Sequence, residues 1–95
     1  MIKIVALWER APDPDWYRSH IALARTIPGV TASHGPIFGG PPGTTPDAAY
    51  YAQLEFADTD AFQHAAGSPE FQATVEDAGS AAIPLRVYFV EVADD

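Results

Sequence analysis

The 95-residue chain contains no cysteine, so neither a disulfide framework nor a thiolate metal site can support it. Cations are scarce as well: 5 Lys and Arg stand against 13 Asp and Glu, a formal charge of −8. Nucleic acid requires clustered positive charge, so this balance argues against it as a partner, and equally against adsorption to anionic lipid. No apolar run reaches the roughly 18 residues that a membrane-spanning helix requires. The opening Met1-Ile2-Lys3-Ile4-Val5-Ala6-Leu7-Trp8 is apolar, but it stops at Glu9-Arg10 without a small-residue cleavage site. It reads as mature chain. What is present is an apolar share of 47 %, too high for disorder and enough for one thin core. The expectation is a single soluble, cytoplasmic domain over residues 1–95.

The hydrophobic period changes along the chain and sets out the elements. Residues 2–8 read as a first strand. Asp13 or Asp15 is placed to cap a helix whose face runs through Trp16, Leu23, Ala24 and Ile27, ended by Pro28-Gly29. Residues 30–38 read as a second strand, 39–47 as a glycine- and proline-rich loop, and 49–56 as a third strand. Asp58-Thr59-Asp60 caps a short helix that Gly67 interrupts; Ser68-Pro69 restarts it, with Ser at the cap and Pro in the first turn. Leu85 to Val92 is the last strand, and Asp94-Asp95 a solvated tail. The order β-α-β-β-α-β predicts an α+β, ferredoxin-like fold: a four-stranded antiparallel sheet with helices on one face.

Such a sheet has a second face. Period-two alternation sends Tyr50, Ala52, Leu54 and Phe56 to the helices, and Tyr51, Gln53 and Glu55 to the open side. Arg86, Tyr88, Val90 and Val92 of the last strand join them, with Val5 and Leu7 of the first. That face is more apolar than a monomer ordinarily leaves in water, and a second copy packed sheet to sheet is the expected cover. The predicted assembly is a homodimer enclosing a chamber.

His20 falls within the stripe of Trp16, Leu23 and Ile27 and is turned toward the sheet. Histidine is the side chain suited to moving protons near neutral pH, although a core histidine bonded to a backbone carbonyl explains the same position. Tyr51, Gln53, Glu55, Arg86 and Tyr88 would line the chamber with aromatic surface, donors and one charge pair, a mixture suited to an oxygenated aromatic or a ketone. Alternatively, Glu55 and Arg86 pair across the dimer. Trp16 and His34 are further candidates for ligand contact, His34 if it shares the face of Tyr51. His64 reads as exposed, and Asp77 lies off the stripe of Phe71, Val75 and Ala78. The three histidines occupy separate elements without metal-ligand spacing, so no metal is expected, and no cofactor motif is present. Gly39-Gly40-Pro41-Pro42-Gly43 has no following Lys and few amide donors, so it reads as a hairpin connection or a lid rather than a phosphate cradle.

Several short motifs occur in a telling order: Met1-Ile2-Lys3-Ile4-Val5, then His20-Ile21-Ala22-Leu23-Ala24-Arg25, then Ile27-Pro28-Gly29, Tyr50-Tyr51, Phe56, and Ser68-Pro69-Glu70 leading to Asp77. In this order the chain resembles the EthD family of small dimeric α+β barrel proteins over nearly its whole length. Ala22 replaces the family's proline, Trp16 and Asp15 stand where a His or Tyr is usual, and no Asn-Phe follows Asp77. The resemblance implies a homodimer with a role in catabolic or polyketide-type metabolism, and it raises Asp77 to a candidate. Proteins of the same barrel include cofactor-free monooxygenases, lactone isomerases and polyketide cyclases. The function expected is proton transfer, without a cofactor, on a small carbonyl or aromatic ligand. His20 would be the base, and Tyr51 or Tyr88 would steady the enolate oxygen. The alternative is a non-catalytic small-molecule-binding or accessory protein using the same chamber.

Overall fold

Three helix starts follow from side chains that satisfy the first free amides of a helix. In the computed structural model, which describes residues 1–94, the Asp13 carboxylate accepts from the amides of Asp15 and Trp16. Asp58 accepts from Ala61, and the Ser68 hydroxyl accepts from Phe71. Each cap contributes about 1 kcal/mol, and Pro14 and Pro69 hold the first turns of their helices ready. Asp95, half of the expected acidic tail, lies outside the described residues.

The elements are β1 (Ile2–Trp8), α1 (Pro14–Ala24), β2 (Thr31–Pro36), β3 (Tyr50–Phe56), α2 (Thr59–Ala66), α3 (Pro69–Ser80) and β4 (Leu85–Glu91). Gly29 takes a φ of 75° after α1, the left-handed turn that glycine adopts without strain. The strands form one antiparallel sheet in the order β2-β3-β1-β4, with the helices on one side. This is the ferredoxin-like α+β plan, with its second helical segment divided at Gly67 into α2 and α3.

Register settles the faces. Val5 lies opposite Gln53 and Tyr88, and Leu7 opposite Tyr51 and Arg86, so these side chains share the face away from the helices. On the helical face Ile2, Ile4 and Phe56 pack with Ile27 and Ala65, while Trp8 and Ala52 pack with Tyr17, Ile21 and Ala24. The buried stripe of α1 is therefore Tyr17, His20, Ile21 and Ala24; Trp16 and Leu23, expected on the buried face, are half-buried at its margin. Tyr17 counts as polar in a hydropathy pattern, yet its aromatic ring is buried in the core.

Candidate functional site

Between the helical face of the sheet and helices α1 and α3 lies a cavity of about 430 Å³. Its floor is Ile4, Ala6 and Trp8 of β1 with Ala52 and Leu54 of β3, and its outer side is Leu85, Val87 and Phe89 of β4. Small residues keep it open. Ala24, Ala52 and Ala78 fill little space, and Gly79 of α3 has no atom within 4 Å of where a Cβ would stand. The opening lies between α3 and β4, where Val75, Val87 and Phe89 remain exposed.

His20 lines this cavity and is 7 % exposed. Helix α1 carries it on the flank that faces α3, and there Asp77 meets it: His20 Nδ1 lies 2.8 Å from Asp77 Oδ2. Trp16, one turn earlier, stacks on the imidazole with ring centres 4.9 Å apart and planes within 9°. Trp8 and Tyr17 approach the same ring edge-on. The ring is held on one side by stacking, on another by two aromatic edges, and in its plane by a carboxylate. An ionised carboxylate only accepts hydrogen bonds, so in the neutral imidazole Nδ1 carries the proton and Nε2 keeps its lone pair. Nε2 bonds to none of the described residues.

Two further polar atoms lie in the cavity wall without a partner among the described residues, the indole nitrogen of Trp8 and the hydroxyl of Tyr17. Burial pushes the Tyr17 phenol up to about 12; the nearby Trp8 N–H eases the rise without completing a hydrogen bond, and Tyr50 adds to it. The folded state thus holds this proton more tightly than the unfolded chain does. Its contribution to stability is complete below pH 10, the ordinary value for the group, and is lost as the pH climbs through about 12. Tyr17→Phe is expected to raise stability at neutral pH by about 1 kcal/mol, because a buried hydroxyl without a partner is removed. Urea melts across the alkaline range should also show a shallower decline for the variant.

The other sequence candidates lie elsewhere. Tyr51, Gln53 and Glu55 form a hydrogen-bonded row on the opposite face of the sheet, where Lys3 approaches Glu55 at 3.9 Å. Desolvation, and then the charge of Glu55, raise the Tyr51 phenol. Within the single chain Arg86 does not meet Glu55. It makes a two-pronged contact with Asp47, at 3.1 and 3.3 Å, that ties the 39–47 loop to the start of β4. The guanidinium hydrogen bond and charge hold the Asp47 carboxyl below its usual range. Tyr88 is exposed beside Val90 on this face. A sheet therefore stands between His20 and both Tyr51 and Tyr88, and the expected arrangement of base and enolate-holding phenol does not form. No residue of 40–47 lines the His20 cavity, so the loop is not its lid.

His34 lies opposite Ala52 and so points to the helical side, not to the face of Tyr51. Burial, and then the charge of Arg25, lower its pKa, and the neutral ring meets the Tyr50 hydroxyl at 2.7 Å from Nδ1. It does not line the cavity; Tyr17, whose ring packs against both imidazoles, does. The residues that sequence reasoning passed over are Tyr17, Trp8 and Thr74. For Asp77 the late-helix position of the family resemblance was the available signal.

A protein of Bacillus halodurans C-125 described as an ethyl tert-butyl ether d (EthD) family protein is 25% identical. It superposes with a TM-score of 0.80, over 98% of this chain and 99% of that one. A dimeric ferredoxin-like protein of unknown function from Jannaschia sp. CCS1 is 19% identical, with a TM-score of 0.71 over 96% and 98% of the two chains. SnoaB of Streptomyces nogalater, a cofactor-independent oxygenase, is 17% identical, with a TM-score of 0.60 over 99% and 94%. The last two likenesses show the shared fold. No curated protein sequence matches the chain. The model of the EthD domain matches residues 9–80, a span that begins just after β1, holds both His20 and Asp77, and closes at the end of α3. Covering well over half of the 95 residues, that match makes this chain a member of the EthD family.

Proposed function

We propose that this protein is a cofactor-independent enzyme that moves a proton on a small carbonyl or aromatic compound bound between its sheet and its helices. The observation that carries the reading is His20 on the wall of a largely apolar cavity, with Asp77 held behind it at 2.8 Å. An oriented imidazole with a free lone pair is a general base, and a carboxylate behind it stabilises the imidazolium that forms. A proton leaves the carbon α to a carbonyl, rests on Nε2, and returns to the same or a neighbouring atom. Isomerisation, cyclisation and dehydration share this step. The cofactor-independent chemistry of SnoaB on the same fold supports the reading.

The test is hydrogen–deuterium exchange at the α-carbon of 2-tetralone in heavy water, followed by proton NMR. The protein is expected to accelerate exchange, and His20→Ala to lose about 100-fold of that acceleration with its circular dichroism unchanged. Equal exchange by the variant overturns the assignment and leaves a binding protein.

The protein acts as a homodimer in this reading, joined through the face of Val5, Leu7, Tyr51, Tyr88 and Val90. Tyr88 and Val90 are 49% and 39% exposed in the single chain, and the Jannaschia relative is described as dimeric. Sedimentation should give twice the monomer mass at micromolar concentration. Tyr88→Glu combined with Val90→Lys should give the monomer, with the His20 cavity intact, because it lies on the other face.

A further inference from the structure

No cationic side chain is found in the His20 cavity: among the described residues none of the five Lys and Arg lines it. Lys3 and Arg86 serve the opposite face through Glu55 and Asp47, and Arg10, Arg18 and Arg25 are exposed. The charged group that meets His20 is Asp77 of α3, and the remaining polar groups of the wall are Tyr17 of α1, Trp8 of β1 and Thr74 of α3. The Thr74 hydroxyl already donates to the Glu70 carbonyl at 2.8 Å.

Two consequences follow for any occupant. With Nδ1–H committed to Asp77, the free Nε2 is an acceptor, so the group that reaches it must be a donor. A ligand that already carries a negative charge sets a second anion across the imidazole from Asp77, and only a proton drawn from solvent onto His20 offsets it. A neutral ligand with an acidic proton avoids both penalties. Its O–H or C–H proton passes to Nε2, the electron pair of the broken bond stays on the ligand as a phenolate or enolate, and the imidazolium lies between two anionic groups. The total charge of the cavity does not change.

Resting on the reading of this cavity as the ligand site, we infer that it selects neutral proton donors, phenols and enolisable ketones, and excludes carboxylates. The probes are 2-naphthol, its methyl ether 2-methoxynaphthalene, and 2-naphthoate, three two-ring compounds that differ in whether they carry a donor or a charge. Calorimetry at neutral pH should show 2-naphthol binding, the ether about tenfold weaker for the lost hydrogen bond, and 2-naphthoate roughly 50-fold weaker for the unbalanced charge. The naphtholate absorption band of the bound probe should appear at a lower pH in the native protein than in His20→Gln. Equal binding of 2-naphthol and 2-naphthoate overturns the inference, as does a naphtholate band whose pH is unmoved by His20→Gln.

Gly79→Leu separates this failure from failure of the underlying reading. Its side chain would enter the cavity mouth, where no atom stands within 4 Å of the Cβ position, and leucine suits a helix better than glycine. Loss of all probe binding in this variant, with melting temperature kept or raised, places the probes in the cavity. Probe binding that Gly79→Leu leaves intact, or no binding of any probe to the native protein, removes the cavity as the ligand site, and the inference with it.

Discussion

A protein carrying both His20→Ala and Asp77→Asn is expected to exchange the α-protons of 2-tetralone no more slowly than His20→Ala alone, about 100-fold below the native rate. The two residues act as one device, so their losses do not add. Asp77 meets the imidazole and does not line the cavity, so in the proposed reaction its contribution passes through His20. Asp77→Asn by itself should lose roughly tenfold to 100-fold, for two reasons. An amide can donate as well as accept, which lets the imidazole place its proton on Nε2 and hide the lone pair. It also withdraws the negative charge that stabilises the imidazolium. Exchange rates of the four proteins, compared as a cycle, give the coupling directly. Losses that multiply in the double variant would show that Asp77 acts separately from His20.

Trp8→Ala should be the most damaging single substitution to stability. Trp8 is 1 % exposed, and its indole receives Trp16, Tyr17 and His20 at ring distances of 5.8 to 6.1 Å. Truncating a buried tryptophan costs about 3–5 kcal/mol, a large part of the roughly 5–15 kcal/mol that holds a domain together. A chain of this size shifts its midpoint by about 4–8 °C per kcal/mol, so the melting temperature should fall by roughly 12–40 °C. Trp8→Phe keeps most of the packing and discards an indole N–H without a partner, and should lose much less. A Trp8→Ala protein melting within a few degrees of the native one would remove Trp8 from the core.

Local chemistry made much of this legible beforehand. Asp13, Asp58 and Ser68 cap helices through amides two or three residues away, and such contacts need no knowledge of the rest of the chain. The faces of β3 and β4 followed from strict alternation in Tyr50–Phe56 and Leu85–Glu91. Strand β2 reads Thr-Ala-Ser-His-Gly-Pro and has no apolar alternation, so the side taken by His34 depends on pairing with β3. The meeting of His20 with Asp77 depends on how α1 lies against α3, a relation between residues 57 apart that neither helix encodes alone. The cavity between sheet and helices was not foreseen because alanines and a glycine look like ordinary core in a hydropathy pattern. Their small volumes, and not their polarity, open the space beside His20.

The hole between sheet and helices also means that the apolar interior is incompletely packed against itself, since Trp8, Tyr17, Ile21 and Ala24 belong at once to the core and to the cavity wall. A compound of fitting shape would supply the missing van der Waals partners and bind the native form alone, delaying unfolding in proportion to its affinity and concentration. Thermal shift would then rank a chemical library by fit, so that the natural substrate could be hunted by warming the protein before any reaction had been assayed.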